Sequence, residues 1–187
     1  MRASRLGRYS WTMFDWANQP FYTLIMTFVF SVYFTDVFIV GEDGAQKLTL
    51  TQTISGLAIA LLSPVLGSIT DIKGSRKLLM GITSALFVLG MALLWYSPPG
   101  APDGIWLVMF GLILASAMVG FSEVFNNSVL STIETPENSG WLSGMGYGVG
   151  YIAGLIALIL FLIVFVWPGG ETKNLYGLNT IEYEHIR

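Results

Sequence analysis

Five apolar runs limit what this chain can fold into more than any other feature: Pro20 to Val40, Ile54 to Thr70, Leu78 to Tyr96, Ile105 to Phe125 and Met145 to Trp167. Each is close to the ~20 residues that a helix needs to cross a hydrocarbon core ~30 Å thick. Hydrocarbon offers no partner to a free N–H or C=O, so only helices and closed barrels span it. The alternating ~10-residue segments of a barrel are absent, which leaves helices. Charged residues make up 11% of the chain beside 53% hydrophobic, against roughly 25% charged in a soluble domain. The expected fold is an all-α membrane protein, a polytopic transmembrane helix bundle in which residues 1–187 form a single membrane domain.

The basic segment Met1 to Arg8 ahead of the first run superficially suggests a secretory signal. That run is longer and richer in aromatics than an apolar signal core of ~7 to 15 residues, and no small-x-small cleavage site follows it. It reads as a retained span. There is no cysteine, and His185 is the one histidine, so neither a disulfide framework nor a thiolate or histidine metal site can be assembled. A net charge of −3 without a concentrated basic face argues against a nucleic-acid partner. No phosphate-cradling loop ending in Lys-Ser/Thr, no Gly-x-Ser-x-Gly and no His-Glu-x-x-His occurs, so neither an enzyme nor a cofactor is expected.

The densest charge cluster between two apolar runs is Gly67-Ser-Ile-Thr-Asp-Ile-Lys-Gly-Ser-Arg-Lys. An Asp between two glycines followed by adjacent cations resembles the loop between the second and third spans of the major facilitator superfamily. Tyr9-Ser-Trp-Thr-Met-Phe-Asp-Trp-Ala-Asn-Gln-Pro-Phe, Asn127-Ser-Val-Leu with Thr135-Pro-Glu, and Ser143-Gly-Met-Gly-Tyr-Gly-Val-Gly-Tyr-Ile-Ala-Gly are similar to that superfamily's vacuole-effluxer-like branch. The resemblance runs from about Tyr9 to Gly154. The chain departs from the superfamily pattern at Ile72 and Ser75, where relatives often carry basic residues, and its fourth run has no Arg.

Arg2, Arg5 and Arg8 before the first run, with Lys73, Arg76 and Lys77 after the second, fall on one side of the membrane. By the positive-inside rule that side, with the N-terminus, is expected to be cytoplasmic. Five spans put the termini on opposite sides, whereas facilitator-type transporters are built from two six-span halves. The resemblance therefore implies five spans of a six-span half. The polar tail Pro168 to Arg187 would then lie before a missing sixth span, and the remainder of the transporter would be a partner. Short loops favour a bacterial inner membrane; in a eukaryote the resemblance points to the vacuole.

Within this frame, individual residues carry expectations. Asp71, between Gly67 and Gly74, can pair with Arg76 or Lys77; the resemblance implies a conformational latch, and the alternative is a loop that merely sets topology. Asn18, Gln19 and Tyr22 fall at or beside the face of Asp15. A charge deep in the bilayer costs roughly 2.5 to 3.5 kcal/mol, so Asp15 either faces a cavity or partner or sits at the headgroup level between Trp11 and Trp16. Pro20 is expected to kink or start the span. Glu123, the one charge inside the fourth run, has Asn126 and Asn127 about one turn on, and is the leading candidate for proton coupling or substrate contact. Its alternative is an end position where a carboxylate reaches water. Asp36 reads as interfacial, and Phe28, Phe30, Tyr33 and Phe34 as packing or lipid-facing.

The fifth run carries two ladders at four-residue spacing, Gly140-Gly144-Gly148 and Gly146-Gly150-Gly154, a pattern that brings helix backbones together. The resulting expectation is alternating-access transport of a small solute by a multi-pass protein. Asp15, Asn18, Gln19, Glu123 and Asn127 would line the pathway or carry a proton. The resemblance implies export and an amino-acid-like solute. The competing reading is a membrane scaffold that keeps the half-fold without transporting.

Overall fold

The computed structural model describes residues 4–39, 42–73, 76–99 and 102–166. They form α1 (Arg5–Phe38), α2 (Glu42–Lys73), α3 (Arg76–Tyr96), α4 (Ile105–Ile133) and α5 (Pro136–Val166). No strand occurs among the described residues, and these five helices are long and apolar enough to cross a membrane. The chain is an all-α polytopic bundle.

The first helix begins well before its apolar run. Ser4 caps it, accepting from the Gly7 N–H at 3.2 Å, as an N-terminal hydroxyl does for an orphan donor. The segment Arg5–Pro20 is amphipathic, with Trp11 and Thr12 buried and Leu6, Tyr9 and Met13 exposed. Pro20 does not stop the helix but changes its winding. Its missing N–H frees a carbonyl one turn back, and Phe21–Phe28 continue as wider π-type turns, closed by Val29 N–H to Leu24 C=O at 2.9 Å. Hydroxyls help satisfy the loosened backbone: Thr27 Oγ1 donates to the Tyr22 carbonyl and Ser31 Oγ to that of Thr27, the kind of repair that a lipid setting requires.

Helix α4 is the centre of the bundle. Of its most apolar stretch 61% is buried, against 11–17% for the other four helices, whose outward faces carry the exposed Leu, Ile, Val and Trp that suit contact with lipid. Small residues let neighbours approach it. A Cβ on Gly90 of α3 would stand 2.7 Å from the Gly111 carbonyl oxygen of α4, and one on Gly120 would stand 2.6 Å from Ile59 of α2. Thr83 and Ser122 join α3 to α4 at 2.6 Å. At one end Phe34, Phe38, Leu94, Val108, Met109 and Leu112 form a packed cluster, with Phe30 and Tyr33 against it. Phe28, in contrast, is exposed.

Helix α1 runs antiparallel to α4 and parallel to α5, so the start of α1 meets the α4–α5 turn. Arg8 Nη1 donates to Glu134 Oε2 at 3.0 Å, the Glu134 side chain being 2% exposed. Three residues on, Trp11 Nε1 donates to the Asn126 carbonyl at 2.8 Å.

Candidate functional site

The polar residues of α1 and α4 meet where α5 closes on them. Asp15, Asn18, Gln19, Glu123 and Asn127 line one small cavity with Trp11 and Tyr147. Three helices thus bring together side chains that are far apart in sequence. The cavity holds about 30 Å³, more than the ~10–15 Å³ that one water requires and far less than the ~300 Å³ or more of an ordinary ligand pocket. It has room for a water and is too small for an ordinary solute.

Two carboxylates share it. Asp15 and the Tyr22 hydroxyl both stand near enough to the Glu123 carboxylate to interact with it electrostatically. The Nδ2 of Asn18 is buried without a protein partner, a donor facing a site in which an acceptor is wanted. Tyr147 of α5 is close enough to interact with Tyr22. The sequence reading placed Tyr22 beside the Asp15 face and read Trp11 as an aromatic at headgroup level; Trp11 instead lines the cavity, and Tyr147 of α5 was not foreseen.

The way α1 and α5 close over this site follows from the glycines. A Cβ on Gly146 would stand 2.6 Å from Asp15 Oδ2 and 3.2 Å from Trp11, and one on Gly150 would stand 3.2 Å from Asp15 Cβ. On Gly154 it would collide with Thr23 Oγ1. The residues met are Trp11, Asp15, Gln19 and Thr23, a four-residue row on α1 against a four-residue row on α5, the ridge-into-groove relation of close helix packing. The other ladder does not take part: a Cβ on Gly140, Gly144 or Gly148 would meet nothing within 4 Å among the described residues.

Beyond the seam the two helices part. A groove of about 340 Å³, lined by Gln19, Tyr22, Thr23, Thr27, Phe28, Tyr151, Leu155 and Leu158, follows the small cavity. Further on, a cleft of about 640 Å³ reaches Phe161, Phe165 and Val166, with Asp36 its one charged lining residue. Gln19 lines both the small cavity and the groove, and Tyr22 lines the groove while standing near Glu123.

The Gly67 to Lys77 segment is described in part. Gly67 sits within α2 rather than in a loop, and a Cβ there would meet nothing within 4 Å among the described residues. Arg76 and Lys77 open α3. Gly74 and the side chain of Asp71 lie outside the described residues.

No family model and no solved structure matches the chain. It is 30% identical over 144 residues to the uncharacterized MFS-type transporter YxiO of Bacillus subtilis strain 168, a match covering 74% of this chain and 32% of that protein. The chain thus spans about a third of the length of the curated relative it matches.

Proposed function

We propose, on the premise of a major facilitator relationship, that this chain forms the N-terminal part of a permease that moves a small solute by alternating access. The observation that carries the proposal is the convergence of Asp15, Asn18, Gln19, Glu123 and Asn127 on one cavity, with the Tyr22 hydroxyl near Glu123. Paired carboxylates inside a membrane protein are expensive to keep, and where they are kept they mark ion, proton or substrate pathways. The closed seam at one end and the widening groove at the other suit a half whose wall is engaged on one side only.

The finer reading is an exporter of amino-acid-like solutes, with the N-terminus cytoplasmic. The donor set is suited to a zwitterion. Asp15 and Glu123 accept from an ammonium group, while the carboxamides of Asn18, Gln19 and Asn127 donate to a carboxylate. At about 30 Å³ the cavity must widen to take such a solute. A proton on one carboxylate relieves the repulsion between them, which couples occupancy to a proton gradient.

The test is reconstitution of the full-length transporter in liposomes with an imposed pH gradient. Glu123→Gln is expected to abolish gradient-driven flux and Asp15→Asn to weaken solute affinity. If both variants transport at the unsubstituted rate with the same pH dependence, the assignment of this cavity is wrong.

A further inference from the structure

We propose that the cleft between the first turns of α1 and the start of α5 is a binding site for the phosphate-bearing headgroup of an anionic lipid. The cleft holds about 170 Å³ and is lined by Arg5, Arg8, Tyr9, Trp141, Leu142 and Met145. Arg5, Arg8 and Tyr9 share a helix face because they stand three and four residues apart. Each guanidinium offers five N–H donors. One donor of Arg8 is engaged by Glu134, and Arg5 makes no ion pair among the described residues.

The floor of the cleft is apolar, and Leu142 is 1% exposed. Its rim is aromatic: Tyr9 and Trp141 are 59% and 66% exposed. Amphipathic rings of this kind settle at the headgroup level of a bilayer, and basic pockets between membrane helices take anionic headgroups. A free phosphate would use the guanidiniums and leave the Leu142 and Met145 floor unoccupied. A lipid uses both, its phosphate on the arginines and its glycerol against the floor. The site lies apart from the Asp15–Glu123 cavity, and its occupancy does not depend on what solute is moved.

The experiment is native mass spectrometry of the purified protein released from nanodiscs of phosphatidylcholine containing phosphatidylglycerol. Retained phosphatidylglycerol is expected on the unsubstituted protein and is expected to fall roughly fivefold in Arg5→Gln, the factor implied by about 1 kcal/mol per basic residue near an anionic surface. Lys77→Gln removes a cation from the same end of the bundle but outside the cleft, and is expected to leave retention unchanged. Equal retention by Arg5→Gln and the unsubstituted protein overturns the site, as does an equal loss in Lys77→Gln. Displacement of the lipid by millimolar glycerol phosphate in solution overturns the lipid assignment in favour of a soluble phosphate ester.

Discussion

The indole of Trp11 donates its one N–H to the backbone carbonyl of Asn126 at 2.8 Å, and both residues are buried. The bond locks α1 to α4 one turn before Asp15, so the carboxylate pair is positioned by a contact that involves neither carboxylate. Trp11→Phe keeps the ring and removes the donor. It is expected to cost about 0.5–1.5 kcal/mol, read as a lower midpoint of thermal unfolding in detergent, with helix content at low temperature unchanged.

Arg8 and Glu134 are unequal partners. The Glu134 side chain is 2% exposed, that of Arg8 29%. Removing the cation takes the close guanidinium from a buried carboxylate, which keeps the Thr135 N–H at 3.1 Å, whereas removing the carboxylate leaves a guanidinium that reaches water. Arg8→Gln is therefore expected to destabilise more than Glu134→Gln, by about 1–3 kcal/mol once partial exposure is allowed for. The double variant is expected to recover part of the loss, and a thermal-unfolding cycle of the four proteins checks it.

The two glycine ladders of α5 differ in what they touch. Gly150→Val drives a branched side chain into Asp15 and is expected to cost about 1–3 kcal/mol through overpacking, while Gly148→Val meets open space. The midpoint of thermal unfolding in detergent is expected to fall with Gly150→Val and to stay where it is with Gly148→Val.

Tyr22→Phe removes the hydroxyl that stands near Glu123 and leaves the ring packed near Phe21. On the proposed transport role, flux in liposomes is expected to drop by up to about tenfold, the rate equivalent of one hydrogen bond of about 1.4 kcal/mol. Unfolding is expected to be little affected. A variant that unfolds early but transports normally would assign the hydroxyl to structure instead.

The bundle was legible because apolar runs of membrane-spanning length admit one backbone solution. The residues of the small cavity were legible for a related reason: a carboxylate such as Glu123 inside an apolar run stands out. What escaped was anything set by long-range contact. Glu134 lies in a turn between two runs and looks like an ordinary loop acid until the start of α1 is brought to it. The winding of α1 after Pro20 was legible only as a kink, since the carbonyl that proline frees does not specify whether the next turns tighten or widen. Nor does four-residue spacing say which of two glycine ladders meets a neighbour. That depends on how α5 is rotated against α1, which Asp15 and Trp11 decide.

The seam of Gly146 and Gly150 against Asp15 has an electrical consequence. Helix backbones in such close apposition leave no gap for an acyl chain or for a file of water molecules. On the proposed transport role, the seam closes the Asp15–Glu123 compartment where Gly146 and Gly150 meet Asp15 and leaves the groove past Gln19 as its way out. Prying the two helices apart would open a conductance through the compartment, even with every titrating side chain still in place.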